Sequence, residues 1–593
     1  MISLPPISTR TLAVSLSIMP ACLVLTLILK YGVDIPHWDE WHYVLFFEKF
    51  SQGTLTLSDL FAQQNEYRQF FPNLIFVGLG WLTKWNKRYE LLVSFALACL
   101  VSFNLYRLGR LTVDGSPAHR IMIYFLTNLL IFSPVQYFNW LVGMQIIYFM
   151  PIACLTTCLV IAYSQLGARA KFLSCMCLAA VSTFSSANGI LCWLVLPLLT
   201  WPNSRAELHN KRWLLLAWIV GFVVCVALYF NGYQKILGHP SLSESLIHPV
   251  KALVYFSILL GKALDPGDVI FLKEQFGTGH KISAAATGLT MAAFFIVSAL
   301  CTQRDMRLAH RAAGWLMLGT YSIMTAILVT IGRSGFGVEQ AFTPRYTTFT
   351  LYLPIALVHL LPIILERQVA EGRLAARKEI LLQVLAGSVV VAHLLIYPLN
   401  IRQMSALSKR LSQSKACLLL LNVIEEDCLT RAFPSVEYLK PAANSLNGLS
   451  FLRPGLIKSN RAQDIATTSA QPEYYGSLDS VIQTGEDLYT ASGWAVLPWR
   501  GDAADAILLT YDRAAGDSVI FALADTGEER GVVARILRLS SPSDYAGWQK
   551  SFSVNDLPTS PLIISAWAFD ARSGKAVQLN GTHVIQTNTQ KVK

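Results

Sequence analysis

Charged residues are scarce in this chain. Only 14% of its 593 residues are Asp, Glu, Lys or Arg, whereas soluble domains carry about a quarter. Hydrophobic residues make up 53%, and the mean hydropathy is +0.44. This composition excludes an ordinary soluble domain and predicts an integral membrane protein.

Nucleotide-binding motifs are missing as well. The sequence has no Walker loop and no GxGxxG after a strand, so no nucleotide cofactor is expected and ATP-driven transport is disfavoured. The net charge of +11 comes from short basic clusters between apolar runs, which are typical of topology signals. We therefore expect membrane lipids, and no nucleic acid, among the partners.

Closely spaced CxxC pairs are absent from the 11 cysteines. Most cysteines lie in apolar runs, where cysteine usually packs as a small hydrophobe, so no metal site is implied. Cys417 and Cys428 differ because they follow the last apolar run, in a polar region. We predict that they form a disulfide in an oxidising compartment, with two unpaired thiols as the alternative.

Long apolar runs predict a mainly α fold, a polytopic bundle of about eleven membrane-spanning helices. The predicted spans lie near 11–30, 89–108, 120–135, 142–163, 171–185, 187–200, 213–231, 282–301, 312–332, 347–365 and 379–398. Residues 248–264 predict a further helix, which either lies at the membrane interface or forms a twelfth span.

The basic clusters fall in loops on one side of this bundle, together with Arg10. The excess of Lys and Arg in cytoplasmic loops places this side, with the amino terminus, in the cytoplasm. The loops 31–88, 232–281 and 333–346 and the tail after 399 then face outward. For a bacterial chain this predicts the inner membrane, with the tail in the periplasm or outside the cell.

Composition divides the chain into three parts. Residues 1–398 form the membrane module, whose first outward loop, 31–88, contains one or two predicted interfacial helices. Residues 399–479 are expected to be a helical and irregular extracytoplasmic linker. In 480–593, short apolar runs separated by turn residues, including "GVVARILRL", predict a small antiparallel β-sandwich. This predicted domain contains four tryptophans that either stack on sugar rings or form its core: Trp494, Trp499, Trp548 and Trp567.

Acidic residues gather just after the first predicted span, in "DIPHWDEWHYVLFFEKF", residues 34–50. Asp39 and Glu40 stand between Trp38 and Trp41, and desolvation by such rings raises a carboxylate pKa and suits a general base. The alternative is a solvated interfacial role. Asp34 and His37, with Glu66 further along the loop, are candidates for acceptor binding or for support of the loop.

Arginines occur in two outward segments. "QNEYRQFFPNL" contains Arg68, and "GRSGFGVEQAFTPRYTTF" contains Arg333, Arg345 and Tyr346. The planar guanidinium group matches phosphate oxygens, so these residues are candidate phosphate ligands. The alternatives are contact with lipid headgroups or pairing with Glu339.

The order of these features resembles the GT-C superfamily of polyprenyl-phosphate-sugar-dependent glycosyltransferases. The resemblance covers about residues 1 to 400 and rests on the "WDEW" loop after the first span, "NEYR" and the later "GR...RY". It implies transfer of a sugar from a polyprenyl-phosphate donor to a cell-surface glycan or lipid acceptor. It further implies that Asp39 or Glu40 is the catalytic base, with arginine on the donor phosphate. Such enzymes use metal-assisted or metal-free sites, so a divalent metal stays open.

Other functions remain as alternatives. A glycan polymerase or ligase also uses outward arginines but does not need the early acidic pair. A lipid-sugar flippase or secondary transporter should carry ionisable residues within its spans, and this sequence has almost none there. A membrane-anchored binding module is the third alternative.

Overall fold

The structure is a computed structural model that describes most of the chain. The described residues are 9–200, 211–236, 238–264, 279–303, 305–370, 375–424, 427–467, 475–512, 517–529, 545–558 and 561–586. The predicted "GVVARILRL" strand lies outside them.

The chain divides into two compact units. The first unit comprises Met1–Gly32, Leu55–Leu79 and Arg88–Ser405, and the second comprises Val33–Thr54, Gly80–Lys87 and Ala406–Lys593. The predicted first outward loop is therefore shared between the units, because its acidic start packs with the carboxy-terminal part of the chain. For example, the Trp38 amide donates to the carbonyl oxygen of Ala432 at 3.0 Å.

The first unit is helical, and three of its helices, Phe70–Thr83, Lys87–Thr112 and Ala375–Leu419, extend into segments assigned to the second unit. Its α-helices are Thr9–Tyr31, Leu57–Phe61, Phe70–Thr83, Lys87–Thr112, Pro117–Ile131, Tyr137–Leu141, Ile146–Ala162, Ala168–Thr183, Leu196–Leu199, Arg212–Phe230, Glu244–Ile247, Pro249–Gly261, Gly279–Thr302, Met306–Arg333, Thr347–Thr350, Tyr352–Ala370 and Ala375–Leu419. Short 3₁₀ helices connect them at Pro134–Gln136, Gly143–Gln145, Ala187–Val195, Lys262–Leu264, Ser334–Phe336, Val338–Phe342 and Pro344–Tyr346.

Eight helical stretches within the described residues are long and apolar enough to cross a membrane, so the chain is a multi-pass membrane protein. They are Val14–Tyr31, Lys87–Thr112, His119–Leu141, Gly143–Ala162, Arg212–Phe230, Gly279–Thr302, Met306–Phe336 and Pro344–Glu366. The other three predicted spans coincide with Ala168–Thr183, with the apolar stretch Ala187–Leu199 and with part of Ala375–Leu419.

The last of these helices differs from the prediction. Ala375–Leu419 is a single helix of 45 residues that continues through Pro398, where the sequence predicted the end of the membrane module. The predicted linker therefore begins as helix. Pro249–Gly261, within the uncertain 248–264 segment, has only 13 residues, fewer than a perpendicular span requires.

Small residues allow Pro249–Gly261 and Gly279–Thr302 to pack backbone against backbone. A Cβ atom on Gly261 would lie 1.8 Å from the carbonyl oxygen of Ala284, and one on Gly288 would lie 1.9 Å from that of Ser257. No side chain fits at either glycine without displacing a helix. Such small-residue contacts are a common way to pack helices within membranes.

The loop segment of the first unit contains a feature that the sequence analysis did not predict. Between helices Leu57–Phe61 and Phe70–Thr83, strands β1 (Gln63–Gln64) and β2 (Tyr67–Arg68) pair as a tight antiparallel hairpin. Its two-residue turn is Asn65-Glu66, and Asn65 has φ +50°, a conformation that asparagine tolerates well. The hairpin places Glu66 at its tip.

The second unit combines short helices with a β-rich half-barrel domain. Its helices are Val44–Ser51 and Val436–Gly448, with 3₁₀ turns at Trp38–Tyr43, Asp427–Arg431, Ala462–Ile465 and Val554–Asp556. Its strands are β3 (Gly476–Gln483), β4 (Leu488–Leu497), β5 (Asp502–Ala503), β6 (Ala506–Asp512), β7 (Ser518–Ala524), β8 (Thr526–Glu528), β9 (Gly547–Ser553), β10 (Leu562–Asp570) and β11 (Lys575–Ile585).

These strands form one nine-stranded sheet in the order β7-β6-β10-β11-β3-β4-β9-β8, with β5 paired to β4. All neighbours are antiparallel except β11 and β3. The core between them contains the fully buried Trp548, Ile564 and Leu509. Before this domain, Cys417 and Cys428 form a disulfide with their Cα atoms 6.1 Å apart.

Candidate functional site

Glu66 is the acidic centre of a polar cluster in the first unit. Its carboxylate forms an ion pair with the guanidinium group of Arg333. It also lies 2.6 Å from Nδ1 of His239. The tight Asn65-Glu66 turn defines the backbone at Glu66, and these two contacts hold its carboxylate. Arg333 and Glu66 are 267 positions apart in sequence, so only the fold brings them together.

Arg345 and Tyr346 lie in the 3₁₀ turn Pro344–Tyr346, which precedes the helices Thr347–Thr350 and Tyr352–Ala370. The guanidinium carbon of Arg345 is 5.2 Å from the centroid of the Tyr346 ring. Tyr67 and Tyr148 also interact electrostatically with Arg345. Its Nε is buried, and no hydrogen-bond partner for it occurs in the part of the chain that the structure describes.

We call Glu66, Arg333, Arg345 and the three tyrosines at positions 67, 148 and 346 the arginine–tyrosine cluster. It contains two guanidinium groups and one carboxylate, so these members carry a net positive charge. Burial raises the pKa of Tyr67 well above its ordinary value, with Tyr148, Tyr346 and Glu66 adding to this effect and Arg333 opposing it. The Tyr67 hydroxyl therefore stays protonated at neutral pH and can donate a hydrogen bond.

An irregular stretch after helix Pro117–Ile131 supports the Arg345 turn. Asn139, which is fully buried, donates through Nδ2 to the carbonyl oxygen of Arg345 at 2.9 Å and to Oγ1 of Thr348 at 2.6 Å. Thr348 Oγ1 in turn donates to Oε1 of Gln136 at 2.5 Å. Backbone that departs from helix at membrane depth occurs where protein or a cavity satisfies its polar groups, and it often lines substrate sites.

Further polar atoms on these segments are buried without a hydrogen-bond partner among the described residues. They include Oδ1 of Asn139, Oε1 of Gln145 and Oγ1 of Thr347. Buried polar atoms are nearly always paired with protein, water or a ligand. The surroundings of Arg345 therefore offer both donors and acceptors to a polar molecule.

Arg68 has a different environment from Arg345. Its guanidinium group donates to the carbonyl oxygens of Tyr229 at 2.6 Å, Phe61 at 3.0 Å and Asn231. Three of its donors therefore hold the hairpin to the end of helix Arg212–Phe230. This bonding favours a structural role for Arg68 over binding a phosphate.

The acidic stretch lies in the second unit, and its residues have distinct environments. Glu40 is almost completely buried, with Oε1 2.9 Å from Nζ of the equally buried Lys87 and Oε2 accepting from the amide of His37 at 2.8 Å. Oδ1 of Asp34 accepts from the backbone amide of Lys87 at 2.9 Å. Asp39 is only partly buried. Glu40 and Asp34 thus both fix the loop to Lys87.

The two tryptophans that flank the acids also differ. Trp41 is fully buried in the core, whereas 51% of Trp38 is exposed. Trp38 has φ +50°, which is uncommon for a bulky residue and costs conformational energy. Burial lowers the pKa of His37, with Glu40 and Asp39 opposing this effect. Trp38 and part of Asp39 are therefore exposed, while the neighbouring Glu40 and Trp41 are buried.

Sequence reasoning missed Lys87 and Glu90. Lys87 reads as an ordinary basic residue before a span, and nothing in its neighbourhood points to Glu40. Glu90 is 1% exposed in helix Lys87–Thr112, and a Cβ on Gly143 would lie 2.0 Å from its Oε2. Glu90 stands alone among apolar residues at the start of a predicted span, and this position was the sequence feature that pointed to a specific role.

Within the described ranges, no group of three or more His, Cys, Asp or Glu side chains is arranged to hold a metal ion.

Comparison of the chain with protein-family models, with curated proteins and with solved structures gives no match. Evidence about function therefore comes from the residues of the chain itself.

Proposed function

We propose that this chain is a glycosyltransferase of the membrane that moves a sugar from a polyprenyl-phosphate donor to a cell-surface glycan or lipid acceptor. The main support is the arginine–tyrosine cluster within an apolar, helical unit. Charged side chains buried within an apolar unit are costly and usually mark a site for an ion or polar substrate. Two guanidinium groups with one carboxylate favour an anionic ligand.

A lipid-linked phosphate fits this cluster better than a free anion. Its apolar tail can stay among the spans while its phosphate reaches polar groups at the membrane boundary. Arg345 offers a planar fork to phosphate oxygens, and the Tyr67 hydroxyl adds a neutral donor. Arg333 is already paired with Glu66. We therefore assign the main phosphate contact to Arg345 and a weaker one to Arg333.

The reaction that follows is a displacement at the anomeric carbon. The acceptor hydroxyl oxygen forms a bond to that carbon, and the bond between the carbon and the phosphate oxygen breaks. The leaving polyprenyl phosphate keeps the bonding electron pair, and Arg345 stabilises its negative charge. The proton of the acceptor hydroxyl passes to a carboxylate that acts as general base.

We assign the base to Asp39 and not to Glu40. Both oxygens of Glu40 have structural contacts, one with the Lys87 ammonium group and one with the His37 amide. A carboxylate held in a buried ion pair is a poor proton acceptor, because protonation would leave Lys87 as an uncompensated buried charge. Asp39 is more exposed and lies beside Trp38 in the same strained turn.

We also propose a topology for the chain. About eleven spans place the amino terminus in the cytoplasm and the β-rich domain outside, in a bacterial inner membrane. Fusions of a reporter enzyme after Gly167 and after Gly485 should report opposite sides. If both fusions report the cytoplasm, the assigned orientation is wrong.

Lipid analysis of a strain that lacks the gene tests the function. Mass spectrometry of its lipids should show an accumulated polyprenyl-phosphate sugar, which disappears when the native chain is restored. Restoring the Asp39→Asn chain at equal membrane abundance should leave the lipid accumulated. Absence of any such lipid in the deletion strain would reject the transferase. Full activity of Asp39→Asn would instead favour a polymerase, ligase or flippase.

A further inference from the structure

The β-rich domain presents one tryptophan to its surroundings. Of its four tryptophans, Trp548 is fully buried, Trp567 is 6% exposed and Trp494 packs against a small buried cluster. In contrast, 54% of Trp499 is exposed. Isolated exposed apolar residues are common on proteins, so the surroundings of Trp499 decide whether its exposure has a function.

The turn that carries Trp499 is held firmly. Residues 498–501 follow strand β4, and the amides of Arg500 and Gly501 donate to the carbonyl oxygen of Leu497 at 2.9 and 3.0 Å. Gly501 has φ +65°, which glycine adopts without strain. The turn therefore has a defined backbone conformation at the end of β4.

Arg500 anchors the same turn from inside the domain. Its guanidinium group binds Asp505 through two hydrogen bonds of 2.6 and 3.1 Å and Asp570 through one of 2.9 Å. Both aspartates are nearly buried, so these charge-assisted contacts are poorly screened by water. Arg500 faces inward, and Trp499 is left as the exposed side chain of an anchored turn.

A second aromatic ring, that of Tyr475, lies beside Trp499. Tyr475 immediately precedes β3, and its carbonyl oxygen accepts from the amide of Val496 in β4 at 2.8 Å. Its ring centroid lies 5.5 Å from that of Trp499, with the ring planes inclined at 53°. Because β3 and β4 are antiparallel neighbours, both rings lie at the same end of this strand pair. We call Tyr475 and Trp499 the aromatic pair.

We infer that the aromatic pair is a carbohydrate-binding site that takes a pyranose unit of a glycan. One face of a pyranose ring consists of C–H groups and stacks on an aromatic ring, while its hydroxyl groups need polar partners at the edge. Asp502, partly exposed and next to the turn, carries a carboxylate that accepts hydrogen bonds from hydroxyl groups. The two inclined rings supply the apolar surface for such a stack, and Asp502 supplies a carboxylate three residues after Trp499 along the chain.

A lipid surface fits the aromatic pair less well. Tryptophan and tyrosine also occur at membrane interfaces, but headgroup phosphates call for basic residues beside them. The only basic residue of the turn, Arg500, is bound to Asp505 and Asp570. The neighbouring Asp502 would repel an anionic headgroup. These charges favour an uncharged or cationic ligand such as a neutral glycan.

Binding of the purified full-length chain in detergent to a printed array of bacterial surface polysaccharides tests the site. The native chain should bind at least one glycan, and Trp499→Ala should weaken that binding by about tenfold or more. Tyr475→Ala should weaken it less, and Trp499→Phe should retain part of it. Tyr545→Ala is the matched control, because Tyr545 is a comparably exposed aromatic residue of the same domain, 51% against 54%.

Three results would overturn the assignment: no binding of the native chain to any glycan, equal binding by Trp499→Ala, or equal losses in Trp499→Ala and Tyr545→Ala. Binding to phosphatidylcholine and phosphatidylglycerol vesicles that depends on Trp499, without glycan binding, would assign the pair to the membrane instead. The Asp39→Asn chain should bind the array like the native chain. Glycan binding and the proposed reaction can therefore fail separately.

Discussion

The Glu40 carboxylate and the Lys87 ammonium group lie 2.9 Å apart, and each side chain is at most 3% exposed. This ion pair connects the two short segments of the first loop that belong to the second unit, Val33–Thr54 and Gly80–Lys87. A buried ion pair need not add stability over an apolar pair, but removing one partner leaves a buried charge.

Glu40→Gln should therefore destabilise the protein, by about 3–5 kcal/mol. We expect a lower melting temperature in detergent, measured by loss of the monodisperse peak in size-exclusion chromatography after heating. The double variant Glu40→Gln/Lys87→Met removes the uncompensated charge and should recover much of the loss. Asp39→Asn is the matched control and should melt near the native temperature. Equal melting of Glu40→Gln and the native chain would show that the pair is not structural.

Asp39→Asn should abolish transfer while the protein remains folded. The amide keeps the shape of the side chain but cannot accept the proton, and loss of a general base typically costs about a hundredfold to ten-thousandfold in rate. The measurement is the turnover of the lipid that accumulates in the deletion strain, using membranes with equal protein content. Glu40→Gln, corrected for its lower abundance, should retain more specific activity. The reverse order would move the base to Glu40.

Substitutions of Trp38 separate the effect of its backbone strain from the effect of losing its aromatic ring. Trp38→Gly removes both the ring and the strain at φ +50°, whereas Trp38→Ala removes the ring and keeps the strain. The glycine variant should be more stable than the alanine variant by about 1 kcal/mol. Both should lose transfer, because the exposed ring stands beside the proposed base Asp39. Native activity in both variants would leave the strained turn without a functional explanation.

The sequence predicts local features of this protein better than its distant contacts. Apolar runs located the eight candidate spans of the described residues, since twenty apolar residues in a row have few alternatives. Short apolar runs between turn residues located five of the strands in the β-rich domain, β4, β6, β7, β9 and β10, in "DLYTASGWAVL", "AILLTYD", "SVIFALAD", "WQKSFSV" and "LIISAWAFDA". The Asn65-Glu66 hairpin was missed because β1 and β2 have only two residues each, too few to show an alternating pattern.

The contacts between residues of the candidate site could not be predicted from the sequence. Individual residues were visible as acids or arginines in outward loops, but their partners were not. Glu66 and Arg333 meet across 267 positions, and Glu40 meets Lys87 from another segment of the loop. Ion pairs of this kind depend on the tertiary fold and have no local signature. The extension of helix Ala375–Leu419 past Pro398 was missed for a related reason, because packing can override the local preference of proline.

Arg345→Lys should weaken use of the lipid-linked donor more than use of the acceptor. Lysine keeps the positive charge but loses the planar fork, so contacts with two phosphate oxygens become one. We expect a higher KM for the donor and a smaller change in the KM for the acceptor. Arg68→Lys is the comparison, since Arg68 binds three carbonyl oxygens and should affect stability first. A donor KM that is unchanged in Arg345→Lys would remove Arg345 from the phosphate site.

Gly288→Ala should disrupt the contact between helices Pro249–Gly261 and Gly279–Thr302. The added Cβ would lie 1.9 Å from the carbonyl oxygen of Ser257, a backbone atom that cannot rotate away, so the helices must separate. Overpacking of this kind typically costs about 1–3 kcal/mol, and we expect a lower melting temperature in detergent. Gly78→Ala is the control, because no atom lies within 4 Å of the corresponding Cβ in helix Phe70–Thr83. Alanine there should leave melting unchanged or raise it slightly, since alanine favours helix. Equal melting of the two variants would mean that the helices can separate at this contact without cost.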